Sequence, residues 1–130
     1  MLFAAGIPLV GLEHLVYGQD TADFVPAWLP DRLAWAYCTG AAHIAAGLAI
    51  ALSLLPRLAA ALETLMMGLF TVLVWVPMVI ANPAQRFDWT ALWMSTVITA
   101  AGWIVVESYR GAPWFSFSRS RDRLADRAMH

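Results

Sequence analysis

Four apolar stretches organise the chain, at about residues 1–17, 33–55, 58–81 and 89–109. Gly18 to Arg32, Pro56-Arg57 and Asn82 to Asp88 separate them, and the Pro, Gly, Asn and charge they carry punctuate helices. Apolarity sustained over about 20 positions predicts α-helices of membrane-spanning length. At about 1.5 Å per residue the last three cover the roughly 30 Å of a bilayer's hydrocarbon, whereas the first, with about 17 residues, is marginal. That first stretch lacks a basic leader and contains Glu13 and His14, which argues against a cleaved signal peptide. The expected fold class is all-α: an integral membrane four-helix bundle over residues 1–110, followed by a basic cytoplasmic tail, residues 111–130.

The link between the first two helices has its own pattern. Ala22, Phe24, Val25, Trp28 and Leu29 are interleaved with Asp20, Asp23 and Asp31, while Pro26 and Pro30 prevent a long helix. Such a segment suits a short interfacial or re-entrant element, with Phe24 and Trp28 as candidates for an outer loop that covers a ligand.

Composition identifies the solvent. The chain has 130 residues, of which 61% are hydrophobic and 13% charged, with a mean hydropathy of +0.64. A soluble domain is about half apolar and a quarter charged, and a disordered chain has the opposite bias, so both classes are excluded. A net charge of -1 with no lysine gives no basic face for nucleic acid. Cys38 stands alone, which excludes an internal disulfide or a two-cysteine redox motif within these residues. With both ends inside, Arg57, Arg110, Arg119, Arg121, Arg123 and Arg127 fall on the inner side and only Arg32 and Arg86 outside, the bias of an N-in, C-in protein. Trp28, Trp35, Trp89 and Trp93 then lie near the outer interface, and Trp103, Tyr109 and Trp114 near the inner one. Trp114 to Phe117, followed by Arg119 and Arg121, combines aromatic anchors with charge suited to anionic inner-leaflet lipid.

Ionisable groups within a bilayer cost roughly 2.5 to 3.5 kcal/mol each and are the first candidates for function. Glu13, His14, His43 and Glu63 qualify. His43 has Gly40 and Gly47 on its own helical face, so it is expected to face a closely approaching helix, as a proton carrier, a donor to a quinone-like carbonyl, a ligand, or a partner for a threonine or serine. Glu13 and His14 diverge by about 100° on a helix, and either of them can pair with His43. Glu63 is expected near the inner end of the third helix, snorkelling to the headgroups like Glu107. Counting along the spans places His14 about 5 Å below the outer boundary and His43 about 15 Å below it, which argues against one haem held by both. No cluster has metal-ligand spacing. Pro77 is expected to kink the third helix, and Ser95, Thr99 and Gly102 give the fourth a small, polar stripe for packing.

Gly11-Leu12-Glu13-His14-Leu15, Val25 to Pro30, Trp35-Ala36-Tyr37, Thr39-Gly40, Val76-Pro77, Asn82-Pro83 and Trp89 occur in an order that resembles the DoxX-like family of small membrane proteins, up to about Arg110. The resemblance implies a four-helix bundle in the bacterial inner membrane and a role in membrane redox complexes. The family takes its name from a subunit of an archaeal thiosulfate:quinone oxidoreductase. His14 matches the family's Gly-x-x-His position and Gly40 its Thr-Gly position. Trp75 stands where similar sequences often carry histidine, and the first helix is shorter than the family pattern, as an upstream start would explain. Two functions follow as expectations: a membrane subunit of a quinone-linked redox complex, without independent catalysis, or a non-catalytic scaffold that organises lipid. Partners are membrane lipids, redox-complex subunits or further copies of the chain.

Overall fold

The computed structural model describes residues 2–115 and is helical throughout, with no strand among the described residues. The tail arginines Arg119, Arg121, Arg123 and Arg127, and the Ser116-Phe117 pair, lie outside the described residues. Helix α1 spans Leu2–Val16, α2 Gly18–Phe24, α3 Arg32–Ala51, α4 Pro56–Phe70, α5 Val76–Ala81 and α6 Arg86–Ser108. A π-helical turn, Thr71–Trp75, joins α4 to α5 into one continuous rod, Pro56–Ala81. This rod, α3 and α6 are long and apolar enough to cross a membrane, and α1 is a shorter apolar helix.

Four helix boundaries differ from the pattern reading. The first helical course does not end at Tyr17: that residue leaves helical geometry (φ -107°, ψ 39°), and α2 continues to Phe24. The second helix stops at Ala51, not residue 55, because Ser53 and Leu55 take positive φ in the link. Pro56 then opens α4 at its first turn, where a missing N–H costs nothing, instead of lying outside both helices. The last helix starts at Arg86, with Asp88 in the first turn, where its charge complements the helix dipole. The kink expected at Pro77 is taken up by the π turn just before it, in which the Val76 N–H reaches back to the Thr71 carbonyl.

α1 packs most extensively on α3 and α4 on α6, with α3 on α4 joining the two pairs and a lighter α1–α6 contact closing the ring. The α1–α3 seam is built on glycine. A methyl on Gly11 would lie 2.5 Å from the Gly40 carbonyl oxygen, and one on Gly40 would lie 2.9 Å from the Gly11 carbonyl oxygen and 2.8 Å from His14 Cβ. Two turns along α3, Gly47 meets the Pro8 ring and the Ala4 carbonyl, which Pro8 leaves without its helical donor. Gly102 of α6 packs in the same way against Thr64 of α4. Gly40, Gly47 and Gly102 each stand where a neighbouring helix lies too close for a methyl group.

The distribution of side chains is inverted relative to a soluble bundle. Small and polar groups fill the interior, including His43, Glu63, Thr64, Ser95 and several alanines, while Leu62, Leu65, Val72, Ile80, Val97 and Ile104 are exposed. An apolar core of Ala4, Ile50, Ala59, Ala60 and Val106 occupies the end where α1 and α4 begin and α3 and α6 finish. At that end the Arg57 guanidinium lies 4.0 Å over the Trp114 ring. The opposite end is held by a three-ring cluster, Phe24 with Trp75 and Phe87, at centroid distances of 5.2 and 5.9 Å.

Candidate functional site

α3 presents His43 between Gly40 and Gly47, the residues that bring α1 within backbone contact. α4 presents Glu63 from the other side, and its carboxylate oxygen Oε1 lies 2.7 Å from His43 Nδ1. Both side chains are 0% exposed. Glu63 therefore does not snorkel: α3 ends early and α4 starts early. His43 stands eight residues before Ala51 and Glu63 seven after Pro56, so the antiparallel pair places them at one level. The partner of His43 is this carboxylate, not a threonine or serine.

His14 completes the cluster. Its ring meets that of His43 edge-on, with centroids 5.1 Å apart, and its Nδ1 donates to the Val10 carbonyl at 2.8 Å. Because a carbonyl only accepts, neutral His14 keeps Nε2 as an acceptor. The expected difference in depth between the two histidines is thus overturned. α2 extends the first helical course beyond Tyr17, so His14 lies ten residues before its end at Phe24, level with His43 eleven residues into α3. The direct ring contact leaves no space for a haem plane between them. Phe70, the last residue of α4, packs edge-on to His43 at 6.3 Å.

The remaining candidates separate from this centre. Glu13 is exposed on α1, and Trp28 is 72% exposed. Phe24 packs into the aromatic cluster with Trp75 and Phe87, where it closes the end of the bundle. Glu107 is partly exposed and pairs with Arg110 one turn along α6, as expected of a helix-end group. The stripe on α6 does meet a polar partner: the Ser95 and Thr71 hydroxyls share a 2.6 Å hydrogen bond. Pattern reading undervalued Glu63 and missed Asp88, which is 5% exposed in the first turn of α6.

Two atoms of the Glu63–His43 pair, His43 Nε2 and Glu63 Oε2, are buried without a hydrogen-bond partner. Such atoms are uncommon, because leaving a buried polar group unpaired costs about 1–3 kcal/mol. Beside them runs an apolar groove of ≈ 350 Å³ between α3 and α4, walled by Ala42, Ala46, Ala49, Leu58, Leu62 and Met66, with Glu63 also on its lining. Among the described residues no group of three or more His, Cys, Asp or Glu side chains is arranged to hold a metal ion.

The family described as "Domain of unknown function (DUF8561)" matches the chain over residues 3–106. The chain belongs to the DUF8561 family. No curated protein and no solved structure matches it. The DUF8561 match runs from the start of α1 almost to the end of α6, and so takes in His14, His43, Glu63 and both walls of the groove.

Proposed function

We propose that this chain is a DoxX-like, four-helix integral protein of the bacterial inner membrane, with both ends inside. In this reading it serves as the membrane subunit of a quinone-linked redox complex and takes the quinone headgroup at Glu63 and His43. One observation carries the reading: a fully buried carboxylate–imidazole pair with an unpaired polar atom at each member, whose Glu63 lines an apolar groove. A small polar ring on a long apolar tail complements both parts, since the pair offers hydrogen bonds and the groove offers alanine and leucine surface. The groove volume of ≈ 350 Å³ lies in the range of small-molecule sites.

The membrane setting draws support from three long apolar helices and from large apolar side chains turned outward around a small, polar interior. The inward arginine bias supports the orientation, and Arg57 meets Trp114 at the end assigned to the inner face. The DoxX-like kinship is supported by the two motifs that meet at the α1–α3 crossing, Gly11 to His14 and Thr39-Gly40.

The test is extraction of the full chain with native lipid, followed by analysis of what co-purifies. Lipid-soluble quinone is expected with the wild-type chain and is expected to be lost from the His43→Leu and Glu63→Met variants. A wild-type chain that carries neither quinone nor a redox partner would leave the non-catalytic scaffold as its function.

A further inference from the structure

Two grooves open between the long helices, on different faces of α4. The one between α3 and α4 has Glu63 on its lining and no cation. The other, ≈ 410 Å³ between the Pro56–Ala81 rod and α6, is lined by Thr64, Gly68, Thr71, Thr96 and Thr99, with Trp103 beside them. Each threonine hydroxyl there donates to the carbonyl four residues back in its own helix. No hydroxyl proton is left for a ligand, so the groove suits a hydrocarbon chain. Gly68 opens it. A methyl on Gly11, Gly40, Gly47 or Gly102 would collide with a neighbouring helix, whereas one on Gly68 would meet only the Thr99 methyl, at 3.6 Å. The missing side chain of Gly68 leaves space at the surface instead of drawing two helices together.

Arg57 shares this face of the rod. Arg57, Thr64, Gly68 and Thr71 follow one another at steps of seven, four and three, which keeps them in line on a helix. The guanidinium stacks 4.0 Å over the Trp114 ring and reaches the Ala112 carbonyl through Nη1, so the segment after α6 holds it at the end of the bundle. Its Nε is buried without a hydrogen-bond partner, and no carboxylate pairs with it among the described residues. Glu107, at the same end, is taken up by Arg110. Among the described residues this end therefore keeps one unbalanced positive charge, on Arg57. At 1.5 Å per residue, Thr64 stands about 10 Å and Gly68 about 16 Å along the axis from Arg57. One leaflet contributes about 15 Å of hydrocarbon, half of the bilayer core. A headgroup at Arg57 thus places its chain along the groove as far as the bilayer centre.

We propose that Arg57 and the α4–α6 groove bind one anionic phospholipid, with its phosphate at the guanidinium and one acyl chain along Thr64, Gly68 and Thr99. The arginine charge selects a headgroup of net negative charge, since a zwitterionic lipid brings an ammonium along with the same phosphate. The site is separate from the Glu63–His43 pair. It rests on the membrane setting proposed above, not on the quinone reading, and it holds in either orientation.

The experiment is native mass spectrometry of the full chain, purified in detergent and given an equimolar mixture of palmitoyl-oleoyl phosphatidylglycerol and phosphatidylethanolamine. One bound phosphatidylglycerol per chain is expected, about fivefold more abundant than bound phosphatidylethanolamine, the ratio that about 1 kcal/mol per arginine at a membrane surface gives. Arg57→Gln brings that ratio to about one. Arg86→Gln removes the same charge from the opposite end and leaves the ratio unchanged. Gly68→Leu fills the groove and weakens both lipids alike, and Ala100→Leu does the same from α6, which guards against one variant that does not fold. Equal retention of the two lipids, a preference that survives Arg57→Gln or falls equally in Arg86→Gln, or groove variants that hold both lipids as wild type does, each overturns the proposal. Full displacement of phosphatidylglycerol by excess inorganic phosphate would show an anion site without a chain and overturn it too. None of these outcomes bears on the quinone reading. A chain that stays dispersed after detergent is withdrawn would remove the membrane setting, and the lipid site with it.

Discussion

The Glu63–His43 pair makes a quantitative prediction about stability. Glu63→Met and His43→Leu each remove one member and roughly preserve volume. Either change strands the surviving member with no partner, since both side chains are 0% exposed and their mutual contact, at 2.7 Å, is the one hydrogen bond either makes among the described residues. Stranding a buried neutral polar group costs about 1–3 kcal/mol, and stranding a buried charge costs about 3–5 kcal/mol. Each single variant is therefore expected to lose about 2–4 kcal/mol. The double variant strands neither group, so its loss should be no larger than that of the worse single variant, with a coupling of about 2 kcal/mol or more. Glu63→Gln keeps a hydrogen-bonding amide opposite Nδ1 and should lose less than either apolar variant. The assay is reversible unfolding in mixed micelles titrated with a denaturing detergent, followed by far-ultraviolet circular dichroism. Additive losses in the double variant would show that the two side chains do not depend on each other, and the description of the site would fail.

Other perturbations report on the surrounding frame. Gly11→Ala places a methyl against the Gly40 carbonyl and Ile44, so the helices must separate, and a loss of about 1–3 kcal/mol is expected in the same unfolding assay. Unchanged stability would contradict the α1–α3 seam. Thr71→Val breaks the hydrogen bond to Ser95 next to the π turn and should cost about 0.6 kcal/mol, the mean for such bonds between membrane helices, and no more than about 1.7 kcal/mol. Arg57→Gln removes the cation over Trp114, worth about 0.5–1 kcal/mol. Chymotrypsin should then cleave beside Trp114 faster than in wild type, whereas equal rates would show that the contact does not hold the segment. A reporter fused after His130 should read as cytoplasmic, and a periplasmic signal would reverse the orientation.

The helical class and the glycine seam were legible in the sequence because both are local. Apolarity over 20 positions and glycines at spacings of three and four record what a helix and its closest neighbour require. The site was less legible because it depends on register, and register depends on where the turns fall. Once α3 ends at Ala51 and α4 starts at Pro56, residues equally distant from the link face each other, which brings Glu63 to His43. The same counting brings Thr71, ten residues before Ala81, to Ser95, nine after Arg86. It also brings His14 to His43 once α2 is counted with α1. Errors of four and two residues at the α3–α4 link were enough to move Glu63 towards the headgroups, and one of seven at the end of the first helical course separated His14 from His43 in depth. Two signals could have corrected them. Proline is favoured in the first turn of a helix, which assigns Pro56 to α4. The apolar pattern of Ala22 and Phe24 continues a helical face past the break at Tyr17.

The histidine nitrogens themselves give the most direct test. In spectra of the nitrogen-15 histidine-labelled chain in micelles, the proton shared between His43 Nδ1 and the Glu63 carboxyl should be strongly deshielded, and that signal should vanish in Glu63→Met. The His43 Nε2 resonance should shift when a short-chain quinone is added. An ordinary Nδ1 proton that Glu63→Met does not alter, with an Nε2 resonance indifferent to the ligand, would contradict the buried pair as the working centre of this protein.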